Sequence, residues 1–370
     1  MTAEKQKILM IIRPAEGGMV SHLQALINNL AEDFAITLAC PEKQAAKYSA
    51  LPCEILSLPL AGNLRPVWDA AVFCRLYRLL KKNDFSLIHA HGFKAGLLAR
   101  PLSRIFKIPC LLTVHGDFLR AKLSRLPGAY MLAERCLSRW TAGYIAVSGW
   151  LAGELYGMLG AGKSKIRVIP NGIETAGFYR EKGCRKSDSF LVGTAARLVP
   201  EKGLDVFLKA ASCLKPRFPE ISFVIAGDGP LRLPLEEMSR QLGVQDRVVF
   251  LGHCERIPEF LAGLDVFVMP SRNEGQGIAV LEAMAAGCPV VASSAGGLRE
   301  LIRHGENGLL FPVGDAQVLA DCIASCLQNP EYAAVLAARA RREVAKRSSR
   351  RTAEETKKAY FSILEGGSRP

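Results

Sequence analysis

The sequence from Pro270 to Gly277 is PSRNEGQG, and it joins two runs of different character. The run before it, at residues 265–269, is DVFVM, which is typical of a buried β-strand. The run after it, at residues 278–286, is IAVLEAMAA, which is rich in helix formers and ends before Gly287. These features predict a turn from a strand into a helix. The N-terminus of such a helix carries free N–H groups and partial positive charge, which favours binding of a phosphate or of hydroxyl groups.

Two carboxylates accompany this turn. Glu274 lies within it, and Glu282 lies about two helical turns further along the chain. The two side chains are therefore expected to hold separate parts of one extended ligand.

Short apolar runs alternate with helix-forming stretches along the chain. We expect strands at residues 8–12, 35–39, 87–89, 110–114, 144–147 and 166–169, and a second set at residues 190–195, 222–226, 248–251, 266–269, 289–292 and 308–311. This alternation predicts parallel sheets with helices on both faces, and two successive sets predict two doubly wound α/β domains. We expect the break near Pro170-Asn171-Gly172, before the polar stretch 180–189, and a helical tail at residues 331–365.

Open parallel sheets bind ligands beyond the carboxyl ends of their strands. Glycine, histidine or a charged residue follows most of the predicted strands, among them Gly17, Gly18, His115, Arg197, Lys202, Gly229 and His253. Arg197 and Lys202 share one loop, where two cations suit the two charges of a diphosphate leaving group. His115 is a candidate contact to a sugar hydroxyl or to a reacting phosphate. His89 and His91 share its ambiguity between a structural and a functional role.

Composition restricts the class of protein. Hydrophobic residues make up 49% of the 370 residues, but no apolar run approaches the roughly 20 residues of a membrane helix. The apolar run at residues 8–12 is too short for a signal peptide. Eleven cysteines occur without a CxxC pair, which predicts a reducing cytoplasm and neither a disulfide framework nor a cysteine metal site.

Positive charge is concentrated in the first half of the chain. The formal net charge is +13, of which residues 1–180 contribute +11 and residues 65–140 alone carry +10. This asymmetry predicts an anionic partner, which could be nucleic acid, a membrane surface or a phosphorylated substrate. Aromatic residues amount to only 7%, which disfavours nucleic acid. The basic, half-apolar segment 68–82 suits both a helix in a lipid interface and an ordinary surface helix.

Several cofactor classes are disfavoured by missing motifs. The chain has neither a GxGxxG fingerprint nor a Walker sequence, which disfavours a Rossmann dehydrogenase. It has no Asp-x-Asp pair to hold a metal on a nucleotide diphosphate, so we expect no metal site and a metal-independent reaction.

From about residue 144 to 315 the chain resembles the retaining glycosyltransferases of family 4, which have the GT-B fold. The matching stretches are VIPNGIE at 168–174, GTAARLVPEKG at 193–203, VIAGDGPL at 224–231, residues 270–286, GCPVVA at 287–292 and NGLLF at 307–311. The N-terminal resemblance is thinner and rests on GGM at 17–19 and TVHG at 113–116.

This resemblance implies two Rossmann-like domains that face each other across a cleft. It implies an acceptor-side domain at residues 1–172, a donor domain at 173–350 and a helix at 351–370 that crosses back to the first domain. The implied catalytic residues are Arg197, Lys202, Glu274 and His115. The implied donor-binding residues are Gly17, Gly18, Gly229, His253, Gly275, Gln276, Gly277, Ile278 and Glu282. Gln276 departs from the family, which usually has an aromatic residue there, and this leaves the donor sugar open.

The resemblance also implies a function. We expect a retaining hexosyltransferase that moves a sugar from a nucleotide-diphosphate sugar, with UDP-sugars favoured. The sequence does not name the acceptor, and a lipid-linked acceptor in envelope glycolipid or polysaccharide synthesis is a hypothesis. We expect the enzyme to need no cofactor, because the nucleotide-diphosphate sugar is a co-substrate. We expect a cytoplasmic protein, with a peripheral position on the inner face of the membrane as a further hypothesis, and no nucleic-acid partner.

Three other functions stay open from the sequence. The first is a GT-B sugar-nucleotide 2-epimerase, which releases no glycoside. The second is a non-catalytic sugar-nucleotide-binding protein, and the set Arg197, Lys202, Glu274 and Glu282 argues against it. The third is a nucleic-acid binder, which charge alone suggests.

Overall fold

The computed structural model describes residues 5–62, 65–116, 127–159, 165–178 and 189–366, with the backbone alone described for residues 127–131. The chain divides into two compact units, residues 1–172 together with 349–370, and residues 173–348. Apart from Ser189, the predicted polar stretch 180–189 lies outside the described residues.

The first unit is built on a parallel sheet of seven described strands. They are β1 (Gln6–Ile12), β2 (Phe34–Pro41), β3 (Glu54–Leu58), β4 (Leu87–His91), β5 (Cys110–Val114), β6 (Gly143–Ala146) and β7 (Ile166–Val168). Their order across the sheet is β3-β2-β1-β4-β5-β6-β7. Strands β2 and β3 are added on one side of β1 and strands β4 to β7 on the other, so the strand order reverses between β1 and β4. The helices between them are α1 (Gly18–Leu30), α2 (Pro66–Lys82), α3 (Phe93–Phe106), α4 (Pro127–Ser138) and α5 (Gly149–Leu159).

The second unit is built on a parallel sheet of six described strands. They are β8 (Phe190–Ala195), β9 (Ile221–Ala226), β10 (Val248–Gly252), β11 (Val266–Met269), β12 (Val290–Ser293) and β13 (Leu309–Phe311), in the order β10-β9-β8-β11-β12-β13. The reversal falls between β8 and β11. The helices are α6 (Leu204–Leu214), α7 (Arg232–Gln241), α8 (Ile257–Ala262), α9 (Ile278–Ala285), α10 (Leu298–Leu301), α11 (Ala316–Gln328) and α12 (Pro330–Val344).

Both sheets are covered on their two faces. In the first unit, Leu9 and Ile11 belong to one apolar cluster, while Ile8 and Met10 belong to another. This is expected because successive side chains of a strand point to opposite faces of the sheet, and helices cover both faces. The C-terminal helix α13 (Ser349–Glu365) belongs to this second cluster through Tyr360, whose ring lies 5.4 Å from that of Phe34. None of the described helices is both long enough and apolar enough to span a membrane.

The predicted α/β class with two doubly wound sheets is confirmed. Every predicted strand is present, with bounds that differ by two residues at most. Strand β3 was not predicted. It lies at the edge of its sheet, where Glu54 and Ser57 are exposed and leave no continuous apolar run. The predicted tail 331–365 is two helices, α12 and α13, separated at residues 345–348.

Candidate active site

The carboxyl end of β8 leads into the loop that carries Arg197, and this side chain is exposed. A tight turn after β9 holds the loop through two backbone hydrogen bonds. Leu198 N–H donates to the Asp228 carbonyl at 2.9 Å, and Leu231 N–H donates to the Leu198 carbonyl at 3.0 Å. A Cβ atom at Gly229 would lie 2.6 Å from the Leu198 carbonyl oxygen. Gly229 therefore shapes the Arg197 loop by permitting this close approach.

Lys202 ends a short 3₁₀ turn, Pro200–Lys202, on the same loop. Gly203 follows in the left-handed region, with φ at 63°, and an added Cβ atom would lie 2.1 Å from the Pro270 carbonyl oxygen. Only glycine fits this position, because the loop after β8 lies directly against the end of β11. A backbone hydrogen bond of 2.8 Å from Arg272 N–H to the Glu201 carbonyl holds the two segments together.

This approach brings a cation and a carboxylate together. Lys202 Nζ lies 2.5 Å from a carboxylate oxygen of Glu274, and the side chains are 19% and 14% exposed. Ser271 Oγ donates to the same Glu274 oxygen at 3.2 Å. The pair lies at the carboxyl ends of β8 and β11, the neighbouring strands between which the chain order reverses. Doubly wound sheets bind their ligands at such a reversal point.

The turn after Glu274 leads into α9, as predicted. Gly275, Gln276 and Gly277 are buried, and α9 begins at Ile278 with Gly277 as its N-cap residue. No side chain caps this helix start, so its first N–H groups and partial positive charge lie next to Glu274 and Lys202.

Glu282 lies on α9 and is partly buried. Burial raises the pKa of this carboxyl group to about 7, because the charged form loses its hydration. Glu282 is therefore divided between its two protonation states near neutral pH.

His253 lies apart from this group. It is exposed after β10, the edge strand, two strands away from β8. Adjacent strands are spaced by about 4.8 Å, which puts His253 roughly 10 Å from the β8 loop along the sheet.

In the first unit, the corresponding edge of the sheet carries glycines and histidines. Gly17 is the N-cap residue of α1, and its carbonyl accepts hydrogen bonds from Val20 and Ser21 N–H. His91 ends β4 and His115 follows β5. These positions surround the reversal between β1 and β4.

Three histidines come together here. His91 Nδ1 and His115 Nε2 are 3.2 Å apart, and the His22 ring centroid lies 5.3 Å from that of His115. Burial lowers the pKa of His22 to about 4 and that of His91 to about 3, and it lowers the pKa of His115 well below its usual value. All three imidazoles are therefore neutral at pH 7.

His89 has a different environment. Its Nδ1 is 2.7 Å from Tyr360 Oη on α13, and its Nε2 is 2.7 Å from Thr113 Oγ1. Both ring nitrogens are engaged within the fold, which gives His89 a structural role. His89, His91 and His115 were candidates from the sequence, whereas His22 was not, although its place four residues after Gly18 was an available signal.

Two family models match the chain over almost its whole length. The model described as "Glycosyltransferase Family 4" matches residues 16–176, and that described as "Glycosyl transferases group 1" matches residues 177–343. An Escherichia coli UDP-Gal:alpha-D-GlcNAc-diphosphoundecaprenol alpha-1,3-galactosyltransferase is 31% identical over 77% of this chain and 78% of its own length. The chain belongs to the family 4 glycosyltransferases.

Other relatives of this glycosyltransferase include one that is named for a different donor and one that is uncharacterized. A Mycolicibacterium smegmatis GDP-mannose-dependent alpha-(1-6)-phosphatidylinositol monomannoside mannosyltransferase is 28% identical over 87% of this chain and 89% of its own length. An uncharacterized Bacillus subtilis glycosyltransferase, YqgM, is 30% identical over 90% of this chain and 89% of its own length.

Solved structures share the fold of this glycosyltransferase. Anabaena HepE in complex with UDP-glucose superposes with a TM-score of 0.81 at 23% identity, covering 96% of this chain and 99% of that one. Thermosynechococcus elongatus sucrose-phosphate synthase superposes with a TM-score of 0.84 at 22% identity, covering 98% and 100%. The expected GT-B fold is thereby confirmed.

Proposed function

We propose that this glycosyltransferase is retaining and metal-independent and takes its sugar from a nucleotide-diphosphate donor, with UDP-sugars favoured. The observation that carries the proposal is the Lys202–Glu274 pair of 2.5 Å at the reversal point of the second sheet, beside the uncapped N-terminus of α9. A diphosphate needs cations and N–H donors, and the hydroxyl groups of a sugar need a hydrogen-bond acceptor. The site offers all three within two adjacent turns.

Each residue has a proposed role. Arg197 and Lys202 bind the diphosphate, and the backbone of Gly275, Gln276, Gly277 and Ile278 adds N–H donors. Glu274 accepts hydrogen bonds from the transferred sugar, and Glu282 accepts them from the ribose. Gly17, Gly18 and His115 are proposed as contacts to the phosphate and the sugar, and His253 as a further contact to the donor.

The proposed reaction proceeds on one face of the sugar. The acceptor oxygen forms a bond to the anomeric carbon on the side from which the diphosphate oxygen leaves, so configuration is retained. The proton of the acceptor hydroxyl passes to the departing diphosphate oxygen. Negative charge grows on the diphosphate in the transition state, and Arg197 and Lys202 stabilise it in place of a metal ion. Glu274 already orients Lys202, so little reorganisation is needed.

UDP is favoured over GDP as the donor nucleotide. HepE binds UDP and UDP-glucose, and the Escherichia coli relative is named for UDP-Gal, whereas the Mycolicibacterium smegmatis relative is named for GDP-mannose. The proposed ribose recognition by Glu282 suits either nucleotide, and a panel of donors distinguishes them.

The test is product analysis with a panel of UDP-sugars and GDP-mannose in a chelating buffer. We expect glycoside formation with a UDP-sugar at an unchanged rate in EDTA, and an anomeric proton coupling that matches the donor. An inverted product or a requirement for Mn²⁺ contradicts the proposal. Epimerised nucleotide sugar without glycoside would instead establish the epimerase function.

We further propose a lipid-linked acceptor at an anionic membrane surface. On α2, the side chains of Val67 and Trp68 are 81% and 54% exposed, and Arg75, Arg78, Lys81 and Lys82 follow on the same helix. Two relatives are named for lipid-linked substrates, diphosphoundecaprenol and phosphatidylinositol. A helix with exposed apolar and basic side chains suits a lipid interface.

Liposome flotation tests this part of the proposal. We expect binding to vesicles with anionic lipid but not to neutral ones, and loss of binding in a Trp68→Ser/Arg78→Gln/Lys82→Gln variant. The control is Lys346→Gln/Arg350→Gln, which removes exposed cations elsewhere. Equal binding to both kinds of vesicle counts against an anionic surface, and binding to neither counts against a membrane-borne acceptor.

A further inference from the structure

We propose that His22, His91 and His115 form a binding site for one divalent transition-metal ion, with Zn²⁺ as the representative ion. One nitrogen from each ring can be chosen so that all three lie within 4.8 Å of one another. The residues come from α1, from the end of β4 and from the segment after β5, so the sheet edge of the first unit assembles the set.

The spacing of the rings is close to that of a zinc site. Zinc–imidazole bonds of about 2.0 Å in a tetrahedral arrangement place ligand nitrogens roughly 3.3 Å apart. His91 Nδ1 and His115 Nε2 are already 3.2 Å apart. The ring centroids of His22 lie 5.3 Å from His115 and 6.3 Å from His91, and those of His91 and His115 are 5.5 Å apart. Binding of one ion would bring the three ligand nitrogens from within 4.8 Å of one another to about 3.3 Å.

The hydrogen bonding of His91 is incomplete. Among the described residues, its buried Nε2 atom has no hydrogen-bond partner, although the side chain is 1% exposed. When His91 Nδ1–H donates to His115 Nε2, His91 Nε2 carries an unshared electron pair that is buried inside the protein. An unsatisfied buried polar atom is costly, so a complete hydrogen-bond network does not hold the three rings in place. An ion bound to His91 Nδ1 and His115 Nε2 would replace the hydrogen bond between these two atoms. His89 provides the contrast, because hydrogen bonds occupy both of its nitrogens.

The chemistry of the donor set selects the kind of ion. Three neutral imidazoles suit Zn²⁺, Ni²⁺ and Cu²⁺, whereas Mg²⁺ and Ca²⁺ prefer oxygen ligands. Three histidine ligands leave a fourth coordination position, which water or a substrate oxygen occupies. The ion is not a reagent in the proposed transfer, whose diphosphate is bound by Arg197 and Lys202.

One consequence rests on the proposed function. If His115 contacts the donor sugar, an ion that takes up His115 lowers the rate of transfer, so Zn²⁺ acts as an inhibitor. Metal binding itself does not depend on that role. A protein that binds the ion without being inhibited would retain the metal site and contradict only the role of His115.

The experiment is a calorimetric Zn²⁺ titration of the full chain after its exposed thiols, including Cys74 and Cys136, have been blocked. Wild type is compared with His22→Gln, His91→Gln and His115→Gln, and His304→Gln is the matched control because His304 is exposed in the second unit. Circular dichroism checks that each variant is folded. His115 is the least buried of the three, so its variant serves if the other two fail to fold.

We expect one equivalent of Zn²⁺ to be lost in each cluster variant and retained in His304→Gln. Bound Zn²⁺ should also raise the melting temperature of wild type and of His304→Gln, and not that of the cluster variants, because a ligand of the native state stabilises it. The same stoichiometry in all folded variants, or no binding by wild type, would overturn the assignment.

Discussion

Lys202 and Glu274 are 72 residues apart in the sequence, yet Lys202 Nζ lies 2.5 Å from a carboxylate oxygen of Glu274. The contact exists because β8 and β11 are hydrogen-bonded neighbours and because Gly203 lets the loop after β8 lie against Pro270. Since each partner follows a different strand, a change in either loop is expected to disturb both residues.

Lys202→Ala should lower kcat by about 10²–10³-fold, the usual effect of removing one donor that stabilises transition-state charge. Steady-state kinetics with a UDP-sugar measures this, and Lys215→Ala is the control, because Lys215 pairs with Asp246 at 2.7 Å on the surface of the same unit. Equal kcat values for the two variants would remove Lys202 from the mechanism.

Arg197→Ala should also act mainly on the chemical step. Arg197 is exposed, so its removal should leave the free energy of unfolding almost unchanged while kcat falls by about 10²-fold or more. Arg240→Ala is the control, since this exposed side chain pairs with Glu237 at 2.6 Å on the surface of the same unit. Turnover of Arg197→Ala at the wild-type rate would contradict its assignment to the diphosphate.

Gly203→Ala should destabilise the second unit more than Gly243→Ala. The two glycines have similar φ angles, 63° and 65°, but an added Cβ atom meets the Pro270 carbonyl oxygen at Gly203 and nothing within 4 Å at Gly243. The left-handed conformation alone costs an alanine about 1–2 kcal/mol, and Gly203→Ala adds the clash. Urea denaturation compares the two variants. Equal losses of stability would mean that the loop of Gly203 is not in close contact with Pro270.

Glu282 should make stability depend on pH. Burial raises its folded-state pKa from 4.5 to about 7, so between these values the folded protein binds more protons than the unfolded chain. The stability that comes from protonated Glu282 is therefore fully present below pH 4.5 and is lost as pH rises through about 7. Urea denaturation of wild type and Glu282→Gln across this range isolates the effect, and wild type should lose stability relative to the variant as pH rises. A constant difference would show that Glu282 is not shifted.

Arg100 and Glu134 form a fully buried ion pair in the first unit, with two N–O distances of 2.7 and 2.8 Å. Glu134→Gln leaves the guanidinium charge buried without its carboxylate and should cost roughly 3–5 kcal/mol of unfolding free energy. An apolar pair, Arg100→Met with Glu134→Leu, should recover most of this loss, because both charges are then absent. A double variant no more stable than Glu134→Gln would show that the pair is needed for packing.

Local sequence patterns determined the elements and the chemistry at their ends. The runs that form β5, β8 and β11 were predicted with their observed bounds, because strands covered on both faces form largely apolar runs. The turn from Glu274 into α9 was predicted for the same local reason, since glycines and helix formers act within a few residues. β3 was missed because an edge strand needs little burial and therefore has no such run.

The tertiary structure alone decided which of these residues meet. The order of strands put Lys202 against Glu274 and left His253 two strands away from the β8 loop, although all three follow predicted strands. It also assembled His22, His91 and His115, of which His22 was not foreseen. Strand neighbours are set by packing between segments far apart in the chain. No local pattern encodes that contact, because its free energy arises only when both segments are already folded.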